Sequence, residues 1–316
     1  MTALLTLLLI VYGSLYPFVF TDTHMPMLAW VWGAGVDGVR DAVLNLFLYF
    51  PVGFLIGGKR GIAVVAAVSA SCECLQAFDL GRVSSLPDLL LNTGGGALGV
   101  WAAAHWTRPI LPSTAVVGLA LLARTFPFFP SLHVHVSGFR IEQAVFATID
   151  WMAIGAALES RRLLVLASLV VPARMLIVDQ TTSLSEIAGV LVALLCRVPR
   201  RCLGPLMLAS IVGRELMPLQ FSASPQGFAW IPFAALIGSG AAASVVFLSK
   251  LSLYATALWL LRPTATRLTW PAFAIAAVVL VLEWIQRYLP GRTPDVTEAL
   301  LVLVAAAALS VFRTTS

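Results

Sequence analysis

Long apolar runs broken by short charged or Pro/Gly-rich turns set the rhythm of this chain. A helix that crosses a bilayer needs about 20 mostly apolar residues, with a working range of about 17 to 25. Cutting at the turns leaves about twelve such runs, near 3–20, 41–58, 61–80, 88–106, 109–124, 142–158, 163–178, 184–197, 203–220, 241–261, 268–288 and 296–312. Each predicts a helix, and no stretch is left for a soluble domain. Some runs are short for a full crossing, so about ten to twelve spans with re-entrant pieces are expected. The first run, Ala3 to Phe20, lacks a basic leader and a small-residue cleavage site and reads as a retained helix.

Composition sharpens this into an all-α, polytopic integral membrane bundle. Hydrophobic residues make up 59% and charged residues 11% of the 316 positions, against about 25% charged in soluble domains, and the mean hydropathy is +0.93. A soluble enzyme, a nucleic-acid binder and a disulfide-stapled module are excluded; the bilayer is the expected partner.

The net charge of +5 matters less than its sidedness, because Lys and Arg in short loops stay cytoplasmic. With both termini inside, one face collects Lys59, Arg60, Arg108, Arg161, Arg162, Arg197, Arg200, Arg201, Arg262, Arg267 and Arg313 against Glu159 alone. That predicts an N-in, C-in topology and places almost every acidic group toward the outer face. The cysteines do not form a framework: Cys72 and Cys74 share an apolar run, while Cys196 and Cys202 flank a basic turn. His24, His105, His133 and His135 lack metal-ligand spacing, and no metal or cofactor is expected.

Self-similarity supplies an organisation. Glu73-x-x-Gln76 is followed by Gly81-Arg82 and then Asp88, and Glu283-x-x-Gln286 by Gly291-Arg292 and Glu298 at the same offsets. A proline closes the first helix of each unit in Tyr16-Pro17-Phe18, Phe126-Pro127-Phe128 and Met217-Pro218-Leu219-Gln220-Phe221. Ser183 to Glu186 echoes Ser85 to Asp88; there the Glu-x-x-Gln is missing and Arg174 lies close to its place. Three four-helix units are expected, over 1–107, 108–200 and 201–316.

The first unit carries the densest polar pattern. Asp41, Asn45 and Tyr49 share one helix face, Glu73 and Gln76 a second, and Asp88 and Asn92 a third. Arg82 sits in the turn, within reach of either Glu73 or Asp88. A carboxylate at membrane depth costs about 2.5–3.5 kcal/mol on insertion scales and faces a cavity or a partner, which singles out Glu73. Two readings stand: a functional cluster, or an Arg82–carboxylate pair that locks helices together. For Asp88, Glu186 and Glu298 helix capping competes with chemistry. Thr93 to Gly96 with Gly99 offer a small-residue packing face. In the last unit Lys250 stands where Asn45 does, and Glu283, Gln286 and Arg292 form either a second, altered site or a structural remnant.

Asp41-x3-Asn45, Pro51, Gly53, Glu73-x2-Gln76, Arg82, Asp88 and Asn92-Thr-Gly-Gly together resemble the signature of the VanZ-like family, small bacterial membrane proteins named for a teicoplanin-resistance determinant. The likeness spans about residues 10–106, with an eroded echo in 225–313. It implies a bacterial inner- or plasma-membrane protein of the cell envelope, with Asp41, Asn45, Glu73, Gln76, Arg82, Asp88 and Asn92 as the functional residues.

The expected function is an outward-facing polar, acidic cavity that binds a lipid-linked cell-wall or polysaccharide precursor, a glycan or a glycopeptide, linked to antibiotic tolerance. The alternatives are an intramembrane enzyme with Glu73 as general acid or base and a secondary transporter built from repeats. Nothing in the first unit marks a nucleophile.

Overall fold

The computed structural model describes all residues except 1, 17, 23–25, 34, 81, 107–110, 127, 129, 131–133, 178–179, 235–240, 262–268 and 312–316. The chain is all-α and divides into two compact units, Met1–Pro109 and Ile110–Ser316. Among the described residues one helix, Ile141–Leu158, is long and apolar enough to cross a bilayer. Shorter apolar helical stretches include Asp41–Ile56, Leu184–Leu195, Val245–Leu261, Trp270–Gln286 and Thr297–Ser310.

The first unit comprises α1 (Thr2–Leu15), α2 (Gly35–Ile56), α3 (Gly58–Gln76) and α4 (Leu86–His105). Gly57 and Gly58 take left-handed φ of 69° and 57°, a conformation that costs glycine little, so α2 and α3 abut with one residue between them. Ile10, Tyr49, Val52 and Val65 form its core.

Helices α2 and α4 approach backbone to backbone. A Cβ on Gly95 would lie 2.1 Å from the Leu46 carbonyl oxygen, one on Gly99 2.1 Å from that of Phe50, and one on Gly53 1.9 Å from that of Gly96. Gly94 has nothing within 4 Å. The small-residue face is therefore Gly53, Gly95, Gly96 and Gly99, narrower than the expected run.

The second unit follows with α5 (Pro112–Thr125), β1 (Val136–Ser137), α6 (Ile141–Leu158), α7 (Arg161–Ser168) and α8 (Val170–Ala173). A 3-10 turn (Arg174–Leu176) leads to β2 (Thr182–Ser183), α9 (Leu184–Leu195), α10 (Arg200–Leu216), α11 (Ala241–Leu261), α12 (Thr269–Gln286) and α13 (Thr297–Val311). The single helix expected over 163–178 is broken into three pieces. Pro172 lacks an N–H and its ring excludes the carbonyl four residues back, at Ser168, where α7 stops. Trp151, fully buried, centres a core with Val117, Ile154, Leu164, Val171 and Val190.

One turn geometry occurs three times. Phe18, Phe128 and Leu219 each follow a proline and each take a left-handed φ, of 62°, 66° and 62°. Each donates its N–H to the carbonyl three residues back, on Leu15, Thr125 and Leu216, at 2.8 Å. Downstream, a parallel backbone pairing joins Ala29 to Ser85, Val136–Ser137 to Thr182–Ser183, and Ala229 to Asp295. Ser85, Ser183 and Asp295 open α4, α9 and α13: the two hydroxyls accept from the N–H of Asp88 and Glu186, and the Asp295 carboxylate from that of Thr297. The two serine bonds are N-cap bonds, and Asp295 makes its bond two residues before α13 begins.

Candidate functional site

In the first unit Glu73, Gln76, Asp88, Asn45 and Asn92 bond to one another or to neighbouring groups, while Asn92 Oδ1 is buried without a partner among the described residues. The buried Glu73 carboxylate accepts the Ser85 N–H at 2.7 Å. That N–H is the one a capping-box acid at position 88 would take, so Glu73 completes the cap from a different helix. Asp88, relieved of that role, accepts from Asn45 Nδ2 at 2.8 Å. Gln76 Nε2 donates to the Ser14 carbonyl at 2.8 Å, and buried Asn92 donates to Ser69 at 3.0 Å. Asp41 is exposed.

Arg82 corrects an expectation. Among the described residues no carboxylate lies within ion-pair distance of it. Its guanidinium donates to the carbonyls of Tyr16 and Gly13 at 2.9 and 3.2 Å. Carbonyls at a helix C-terminus lack intrahelical partners and carry partial negative charge, which attracts a cation. Glu73→Ala should therefore cost about 1–3 kcal/mol, the range for a buried donor left without its acceptor, whereas Glu73→Gln keeps an acceptor and should unfold near the wild-type temperature. Thermal unfolding in detergent separates the two.

The C-terminal set repeats the frame with different charges. Glu283 accepts the Asp295 N–H at 3.0 Å, and Arg292 donates to the carbonyls of Arg214 and Met217 at 2.5 and 2.8 Å. Gln286 donates to Glu215 at 2.9 Å. The Lys250 ammonium bridges Glu215 and Glu298 at 2.5 and 2.6 Å, and Tyr254 donates to Glu298. Oxygens of Glu215, Glu283 and Glu298 lie within 4.8 Å of one another, a grouping able to hold a metal, but Lys250 already neutralises two of them. In the loop before α13, burial pushes the Asp295 carboxyl above its ordinary range against the opposing Thr297 bonds.

The second unit also holds a network that sequence reasoning did not assemble. Glu186 pairs with Arg124 at 3.1 Å and with Arg174; Asp150 pairs with Arg214 at 2.9 Å and stands 3.8 Å from Arg124. Gln180 donates to the Phe126 carbonyl and accepts from Arg174. Arg124, Asp150, Arg174, Glu186, Arg214 and Lys250, with Arg292, line a cavity of about 490 Å³.

Residues 4–107 match the VanZ/LLP1 family model. The first unit is VanZ-like. No curated protein and no solved structure matches the chain. The matched span contains all seven first-unit candidates, from Asp41 to Asn92, and the cavity lies outside it.

Lined up on the VanZ-like frame, two of three neighbouring seats change charge and the third stays acidic. The residue two before the accepting carbonyl of Tyr16, Phe126 or Met217 is Ser14, Arg124 or Glu215. The residue six before Arg82, Gln180 or Arg292 is Gln76, Arg174 or Gln286. The residue three after the cap is Asp88, Glu186 or Glu298. Arg124, Asp150 and Arg214 meet the criterion that picks out Glu73, a charge within an apolar run, but stand outside the VanZ-like signature. Asp79, also outside the signature, is 3% exposed with both carboxylate oxygens unpartnered among the described residues. His105 contacts the Trp101 carbonyl and His135 is exposed, while His24 and His133 lie outside the described residues. The four cysteines are free thiols.

Proposed function

We propose that this is a multi-pass protein of the bacterial inner or plasma membrane, with both termini cytoplasmic, that binds the polar end of a lipid-linked or glycan envelope ligand. The VanZ-like match supports a cell-envelope protein of the kind linked to glycopeptide resistance. Exposed apolar side chains on the helices, among them Leu4, Leu8, Phe47, Leu98, Leu191 and Trp270, support a lipid-facing surface. The recurring turn, backbone pairing and cap support three four-helix units.

The observation that carries the reading is the cavity of about 490 Å³, whose largely apolar walls hold seven charged side chains: Arg124, Asp150, Arg174, Glu186, Arg214, Lys250 and Arg292. The binding site is thereby moved from the first unit into the second, where Arg124, Arg174 and Arg214 face Asp150 and Glu186. Guanidinium groups suit phosphate and carboxylate oxygens, and the two carboxylates suit sugar hydroxyls.

Binding of a polyprenyl-diphosphate-linked glycan to the protein in nanodiscs tests this. Arg214→Gln should weaken binding at least about tenfold, the worth of one charge-assisted hydrogen bond, while Glu73→Gln leaves it unchanged. The reverse result would return the site to the first unit. A transport reading is favoured by one feature, Lys250 held between two carboxylates at the cavity wall. Proton- or sodium-driven uptake into proteoliposomes, lost in Lys250→Gln, would establish it.

A further inference from the structure

At the other end of the second unit lies a cavity of about 370 Å³ with a different character. Its floor is apolar, formed by Met152, Gly155, Leu164, Ala193, Leu194 and Val198, and its rim carries Arg161, Arg197 and Arg200 against Glu159 alone. Two helices begin at this rim. α7 starts at Arg161-Arg162 and α10 at Arg200-Arg201; neither has an acidic residue in its first turn, and the α10 N-cap, Pro199, provides no side-chain bond. Helix N-termini carry partial positive charge and favour acids there; four arginines at two such ends is an electrostatic arrangement that an anion would relieve. Arg200 is fixed in place, its guanidinium 4.1 Å over the Trp259 ring and donating to the Trp259 carbonyl at 3.1 Å.

The two helices that supply much of the floor also carry exposed leucines, Leu195 (78%) next to Leu194 on α9 and Leu166 (61%) on α7. A free inorganic anion would use the arginines and leave the apolar floor uncovered. An anionic phospholipid uses both, with its phosphate among the arginines and an acyl chain over the floor.

We infer that this pocket is a binding site for an anionic phospholipid headgroup. The inference rests on the membrane part of the reading above and not on the ligand assigned to the larger cavity. By the sidedness of the arginines the pocket opens toward the cytoplasmic leaflet, where anionic lipids attract basic side chains.

Native mass spectrometry of the full-length protein, titrated with phosphatidylglycerol and with phosphatidylcholine, reads the preference directly. The wild type should retain phosphatidylglycerol selectively. Arg161→Gln and Arg197→Gln, both exposed and outside the larger cavity, should each cut that retention about fivefold, the fold-change set by roughly 1 kcal/mol per basic side chain near an anionic surface. Glu159→Gln should raise it, and Lys59→Gln, an equal loss of positive charge in the other unit, should leave it unchanged. Gly155→Val should reduce retention without altering charge, because a Cβ at Gly155 already meets Leu164 Cδ2 at 3.0 Å. Equal retention of both lipids, or unchanged retention in both arginine variants, overturns the site. Stabilisation by inorganic phosphate without lipid preference overturns it in favour of a soluble anion. Release of the protein from membranes by alkaline carbonate would sink the membrane reading itself, an outcome distinct from integration with no lipid selectivity.

Discussion

Glu186→Ala should destabilise the second unit by about 3–5 kcal/mol, the usual cost of removing one partner from a buried ion pair. Glu186 is the shared acceptor of two guanidinium groups, Arg124 and Arg174, and all three side chains are 12–16% exposed. Its loss leaves two cations facing each other across a space with only Asp150, already bonded to Arg214, to compensate. Adding Arg174→Gln to Glu186→Ala removes one uncompensated charge and should restore part of the loss. Denaturant unfolding of the single and double variants, followed by tryptophan fluorescence, gives the coupling. Additive effects in that cycle would mean that the pair contributes nothing of its own.

The α2–α4 contact should be equally intolerant, for steric reasons. Gly95→Val places a Cβ where only 2.1 Å separates it from the Leu46 carbonyl oxygen. The obstacle is backbone, so neither a rotamer change nor a neighbouring side chain can relieve it, and α2 must move away from α4. Overpacking ordinarily costs about 1–3 kcal/mol, and an expected loss at or beyond the top of that range follows from an obstacle that cannot yield. Gly94→Ala, one residue away and facing open space, should instead stabilise by up to about 1 kcal/mol through helix propensity. The contrast is measurable as opposite shifts in unfolding temperature. A similar shift for both would show that the glycine face does not hold these helices together.

Helix positions were legible in the sequence because apolar runs and their charged or proline-bearing turns are local signals. The exception, the stretch broken by Pro172, was also local and was hidden by an apolar run that continues past it. The glycine packing face was visible as a run, but which glycines touch α2 depends on the rotation of α4, a tertiary quantity. Arg82 illustrates the harder limit. A carboxylate partner is conspicuous in sequence, whereas the Gly13 and Tyr16 carbonyls it contacts are groups every residue carries. Glu73 was singled out as a charge in an apolar segment, and its bond to the Ser85 N–H gives it a structural duty that spacing alone does not reveal. The cavity network is not legible from the Glu-x-x-Gln signature, because most of the charged residues that line the cavity stand in the stretch where that signature is lost.

The contacts of Arg82, Gln180 and Arg292 to helix-end carbonyls have a consequence for how such a chain changes over generations. The receiving partner is main chain and cannot mutate, so this joint survives while neighbouring seats drift. Gln180 makes the contact without a charge, so the joint requires a donor and tolerates neutrality. Once the frame is secured by atoms outside the reach of substitution, the seats beside it are free to exchange a serine for an arginine or a glutamate, and one scaffold can be recharged without being rebuilt.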